Sequence, residues 1–169
     1  MANKHGVIRT DLMSGTDVAA DLLSVKFMDA SNETAEIDNG NVVMIEGLME
    51  GEREVRMAKA PAANTPIEKI AIIATPEVLY DERKKNLDEF VNEAGSIARA
   101  YVLRSRNIFS VTAEALNISG EVAVGHVVEL TAGTKMKVAA SATSGSTVIG
   151  NIIAIEKGSR YTYYVIQVA

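Results

Sequence analysis

The chain has 169 residues, 47% hydrophobic and 23% charged, which suits one domain or two small lobes with a core that needs no covalent staples. Seventeen basic against twenty-two acidic residues leave a net charge of −5, which argues against a partner held mainly by phosphates, whether nucleic acid or an anionic membrane. There is no cysteine, so disulfides, thiolate nucleophiles and zinc–thiolate centres are excluded together.

In chain order, residues 1–20 come first. Gly6 and Gly15 interrupt any periodicity, and Lys4 and Arg9 precede the first acid, Asp11. This segment reads as an extended, locally basic arm, ordered only where something holds it. The other reading is a short helix capped by Thr16, with Val18, Leu22 and Val25 on one face. No apolar core of a secretion signal is present at the N-terminus, and the longest apolar runs, 70–74 and 152–155, fall far short of the roughly 20 residues that span a bilayer.

From about residue 21 the pattern becomes β. Leu23, Val25 and Phe27 alternate with Ser24 and Lys26. Asp38-Asn39-Gly40-Asn41 separates Ile37 from an apolar run at 42–45, and Asn-Gly is a strong signal for a two-residue hairpin turn. Residues 54–59 alternate apolar and charged side chains as a half-exposed strand does. Residues 61–66 are a proline-bounded loop, and 68–74 read as a buried strand stopped before Pro76. Residues 81–94 place Leu87, Phe90, Val91 and Ala94 at helical spacing before Gly95. They form either the one short helix of the chain or a charged loop that drops Leu87 and Phe90 into the core. Beyond 95, apolar runs at 98–103, 108–113, 127–130, 136–139, 148–155 and 161–168 are separated by short polar turns. The prediction is a mainly β fold: an antiparallel β-sandwich or small β-barrel over residues 21–169, as one body or as two lobes of about 21–94 and 95–169.

Catalytic and metal-binding patterns are sparse. His5 and His126 are the only histidines; neither has a G-x-S-x-G near it, and they form no H-x-x-H pair. His5 falls on the arm, a poor place for a preorganised base. Residues 29–34 begin like a calcium loop but lack its sixth-position glycine and carry Gly40 at the twelfth. There is no phosphate-binding glycine loop, and Gly145 and Gly150 have no lysine at the needed spacing. Asp81, Glu82, Asp88, Glu89 and Glu93 are interleaved with Arg83, Lys84 and Lys85, as on a solvated face. Tyr161 and Tyr163 share one strand face and Tyr164 takes the other. Cross-strand packing is the plainer reading, and a sugar- or protein-binding stripe is the sharper one. No enzyme, metal or cofactor is expected.

Several stretches resemble small proteins of tailed bacteriophages that decorate and stabilise the capsid. These are the opening MANKHGVIRTDLMSGT, the segment Ile37-Asp38-Asn39-Gly40-Asn41-Val42-Val43, Ser96-Ile97-Ala98-Arg99-Ala100-Tyr101 followed by Ile108-Phe109-Ser110-Val111-Thr112, then Val124-Gly125-His126-Val127-Val128 and the closing Tyr163-Tyr164-Val165-Ile166-Gln167-Val168. The resemblance covers most of the chain without a single diagnostic motif. It implies a structural virion protein, made in the bacterial cytoplasm, that binds the outer capsid surface and bridges capsid subunits. The major capsid protein is the implied partner, a homo-oligomer is open, and neither nucleic acid nor membrane is contacted.

That family carries no universal functional residues that transfer by position, so the interface is a physical expectation. An arm can add a strand to a capsid sheet edge, with Val7 and Ile8 filling pockets and Lys4 and Arg9 meeting acidic groups. Deleting residues 1–20 is then expected to abolish capsid binding and leave the fold intact. A tail or head–tail component, and a carbohydrate-binding β-sandwich using tyrosines among 80 and 161–164, are the alternatives.

Overall fold

A computed structural model describes residues 4–13, 21–79, 81, 83 and 86–169. Five strands close on themselves: β1 (Leu22–Phe27), β2 (Val42–Leu48), β3 (Val55–Lys59), β4 (Ile70–Ile73) and β5 (Ala98–Val102) form a barrel in the order β1-β3-β2-β4-β5, with β5 pairing back onto β1. Six more, β6 (Ile108–Val111), β7 (Leu116–Ile118), β8 (Val127–Glu129), β9 (Met136–Ala139), β10 (Val148–Lys157) and β11 (Thr162–Val168), form a sheet in the order β6-β11-β10-β8-β9-β7. Neighbours are antiparallel except β1 with β3 and β7 with β9, which run parallel. The fold is therefore mainly β. Helical structure among the described residues is limited to single 3-10 turns such as Thr10–Leu12 and Ala113–Ala115. None of it is a helix long and apolar enough to cross a membrane.

Two cores explain why some strands read as continuous apolar runs. One fills the barrel, where Val25, Val43, Ala58, Ala71, Ile73, Ala98 and Ala100 meet. Alanine is frequent there because five strands leave little room inside. The other lies between barrel and sheet and joins Val42, Ile70 and Ile72 to Phe109, Val128, Met136, Ile149 and Ile166. Successive residues of β4 thus point alternately into one core and the other, so all four are buried. The run Ile-Ala-Ile-Ile needs no polar face because the strand has none.

Close approaches fix two glycines. Gly40 has φ of 80°, and a Cβ there would lie 2.9 Å from the Ala115 Cβ and 3.1 Å from Val111 Cγ1. Gly150 sits in β10, where a Cβ would run into the Gln167 carbonyl of β11.

The apolar runs expected at 127–130, 136–139, 148–155 and 161–168 are strands, and they pair as the hairpins β8–β9 and β10–β11. Two local expectations are corrected. The Asn39-Gly40 turn does not join a hairpin: Ile37 bridges Asn92, and β2 pairs with β3 and β4. The reason is that Asn39 is buried and its amide acts as a backbone substitute. Its Nδ2 donates to Thr75 O at 2.7 Å, and its Oδ1 accepts the Thr75 N–H at 3.0 Å. The second correction concerns 81–94, whose described residues hold only a 3-10 turn, Leu87–Glu89. The chain must extend directly afterwards so that Asn92 reaches Ile37, and that pairing outcompetes a helix. The alternative loop is also inverted: Leu87 is exposed and Asp88 is buried.

The strand set changes after Val102, where β5 completes the barrel. The crossing at Arg104-Ser105-Arg106-Asn107 is tied back by Arg104, whose Nε and Nη2 donate to Asp21 Oδ1 at 3.0 and 2.8 Å. The short helix considered from Thr16 lies outside the described residues as far as 20, and beyond them Leu22 and Val25, expected on its apolar face, stand in the extended strand β1 instead.

Candidate interaction surface

The N-terminal segment is part of the sheet. Ile8 bridges Val111 in antiparallel fashion, the Thr112 N–H donates to Val7 O, and the Arg9 N–H donates to Ser110 O, both at 3.0 Å. Residues 7–9 therefore cover the free edge of β6. Val7 and Ile8 are 1% and 2% exposed, so they fill this chain's own interior rather than pockets on a partner. The strand addition expected between molecules takes place within one.

Arg9 is committed in the same way. Its Nε and Nη2 donate to the two Asp11 oxygens at 2.8 and 2.6 Å, holding that carboxyl below its usual range, and its guanidinium lies 5.4 Å from the Tyr163 ring centre. Of the four residues expected at an interface, Lys4 alone keeps a mostly exposed side chain, with Nζ 3.4 Å from Glu89 Oε1. His5 is not on a loose arm either, since its Nδ1 lies 2.9 Å from Asp38 Oδ1.

The tyrosines follow the expected faces. Tyr161 and Tyr163 stack tilted with centroids 6.0 Å apart, and Tyr164 packs on the core between the layers. Tyr163 is buried, so no open aromatic stripe runs along β11. Tyr80 falls outside the described residues.

Among the carboxylates of the 81–93 stretch, Asp88 departs from a solvated face. It accepts hydrogen bonds from the Tyr161 hydroxyl at 2.8 Å and from Arg160 Nη2 at 3.2 Å. Burial pushes its pKa up, but these two bonds outweigh burial and hold it below the ordinary aspartate value. Glu129, with no exposure, is a second such group. Its Oε1 accepts from Lys137 Nζ at 2.8 Å and its Oε2 from the Thr143 N–H at 2.7 Å. Sequence reasoning missed Asp21, Asn39, Asp88 and Glu129 as organising residues. The partners of Asp21 and Asp88 lie 83 and 72 positions away, and no local signal marks such pairs.

These ties frame one concave surface. Residues 75–79, 81 and 89–97 enclose a cleft of about 430 Å³ lined by Val78, Leu79, Phe90, Val91 and Ile97, with Asp81, Glu89 and Glu93 among its polar residues. Val78 and Ile97 are 54% and 53% exposed, and neighbouring Leu87 is 40% exposed. The base is fixed: Asn92 Nδ2 donates to Ile37 O and to Asn39 Oδ1, and Thr75 is gripped by Asn39. Asp88 pins the 89–93 wall to the β10–β11 turn. Among the described residues, no three histidine or carboxylate side chains gather as a metal ion would require. The arrangement suits noncovalent contact with an apolar group.

In comparisons with known proteins, the chain matches no family model, no curated protein and no solved structure.

Proposed function

We propose that the chain is a structural protein of a tailed bacteriophage that binds the outer surface of the icosahedral capsid, bridges neighbouring capsid subunits and stabilises the expanded shell. The resemblance of segments spread from the N-terminal MANKHGVIRTDLMSGT to the closing Tyr163-Tyr164-Val165-Ile166-Gln167-Val168 carries this reading. The mainly β fold supports it, as does the use of Arg9, Asp21, Asp88 and Glu129 in ties within the molecule. On this reading the chain is not an enzyme and needs no cofactor. It is made in the bacterial cytoplasm and takes the major capsid protein as its partner. It stabilises by mass action: a ligand that binds the expanded lattice and not its precursor shifts the balance toward the expanded form. Many copies, each spanning a joint, make modest individual contacts sufficient.

Cosedimentation of purified protein with immature and expanded capsids tests this. Stoichiometric binding to expanded shells alone is the expected result. Absence of binding to either shell removes the reading.

A further inference from the structure

We propose that the cleft between residues 75–79 and 89–97 is where the capsid is held, and that its occupant is an extended capsid segment presenting an apolar side chain beside lysine or arginine. This rests on the capsid-binding reading above.

Three observations support the choice of surface and occupant. First, exposed apolar side chains concentrate here. Val78 and Ile97, each more than half exposed, line the cleft, and Leu87 is close in sequence to its second wall; the less exposed Leu22 and Leu48 line a smaller cleft beside Arg53 and Arg56, Val124 sits in a turn and Ile153 on β10. Exposed apolar surface rimmed by polar groups is the usual mark of a contact site. Second, the base of the cleft and its second wall are held through Asn39, Asn92 and Asp88, so less ordering opposes binding. Third, the charge has one sign. The charged side chains that line the cleft, Asp81, Glu89 and Glu93, are all acids. Glu93 is exposed at the cleft and has no cation paired with it among the described residues. A basic flank on the occupant complements that field, and an acidic one is repelled. The apolar lining selects a side chain of leucine or isoleucine size over a free ion or a sugar.

The test uses the full-length protein and expanded capsids of the phage that encodes it. Affinity is measured by cosedimentation for the wild type, for a Val78→Gln/Ile97→Gln double variant, for Glu93→Lys, and for Ile153→Gln as a control on the sheet. All four positions are exposed, and thermal melts check that each variant keeps the wild-type fold. The double variant is expected to bind at least about tenfold more weakly. Glu93→Lys is expected to bind several-fold more weakly at low salt, with the difference shrinking as salt rises, and Ile153→Gln to bind as the wild type does. Folded double variants that bind like wild type overturn the assignment of the cleft and leave the capsid reading standing. Equal loss in Ile153→Gln also overturns it, because adhesion would then be a general property of exposed apolar groups. Tighter binding by Glu93→Lys overturns the basic occupant. If the wild type itself fails to bind, the capsid reading falls, and the proposed occupant falls with it.

Discussion

Glu129 shows how a charged residue can be wholly buried in a small β fold. Removing a carboxylate from water is expensive unless its lone pairs are met. Here the Lys137 ammonium, the Thr143 N–H and the Thr143 hydroxyl, at 2.5 Å, meet them. Burial alone raises the carboxyl pKa; the bonds from Lys137 and Thr143 reverse this and leave it below the ordinary glutamate value. Thr143 belongs to the connection between β9 and β10, so one buried side chain shapes a loop that has little apolar residue content of its own. Replacing Glu129 by Gln keeps the volume but turns one acceptor into a donor facing other donors. The expected loss is about 2 kcal/mol, read as a fall in Tm of about 4–8 °C for a chain of this size. A Tm within a degree of wild type would show that loop 140–146 does not depend on the charge.

Among the elements, the segment at residues 7–9 departs most from the sequence pattern. Two apolar residues between Gly6 and Arg9 are too few to show a period, and their partners Thr112 and Val111 lie about a hundred positions on. By contrast β4, β8–β9 and β10–β11 were legible, because an apolar run or a short hairpin is a local pattern. Which sheet a strand joins was not legible: β5 and β6 follow one another across Arg104-Ser105-Arg106-Asn107 yet belong to different layers. Asn39-Gly40 misled because a buried asparagine amide can pair with a backbone as a peptide group does. The cleft is invisible in the sequence for the same reason as the buried pairs: its two walls are held together through residues far apart in the chain. For the N-terminal strand, Ile8→Ala should destabilise by about 2–5 kcal/mol, and deletion of residues 1–9 by more, since it also bares the β6 edge. Denaturant midpoints of the three proteins check this. Unchanged midpoints would mean that Ile8 contributes no packing energy. A loss of capsid binding on deletion reports on the fold as well as on any direct contact.

For the molecule as a whole, barrel and sheet are joined by the shared core and by polar ties that cross between them, and one of these is sensitive to acid. Asp88, in the segment between β4 and β5, meets Arg160 and Tyr161 from the β10–β11 turn. Its pKa is depressed in the folded protein, so it binds its proton less readily there than in the unfolded chain. The stabilisation it provides is present above the unfolded aspartate value of about 3.9 and disappears as pH falls through the lower, folded value. Glu129 acts in the same direction. Wild-type stability should therefore fall steeply below about pH 4. Asp88→Asn should be less stable than wild type at pH 7, by about 1–3 kcal/mol, because the asparagine keeps the shape but loses the charge that Arg160 and Tyr161 bond to. The variant should then lose less on acidification, so the two stability curves converge as pH falls below about 4. Denaturant titrations across that range measure the gap directly. A gap that stays constant would show that Arg160 and Tyr161 hold a neutral Asp88 as well as a charged one. The sheet turn would then be anchored by shape and not by charge.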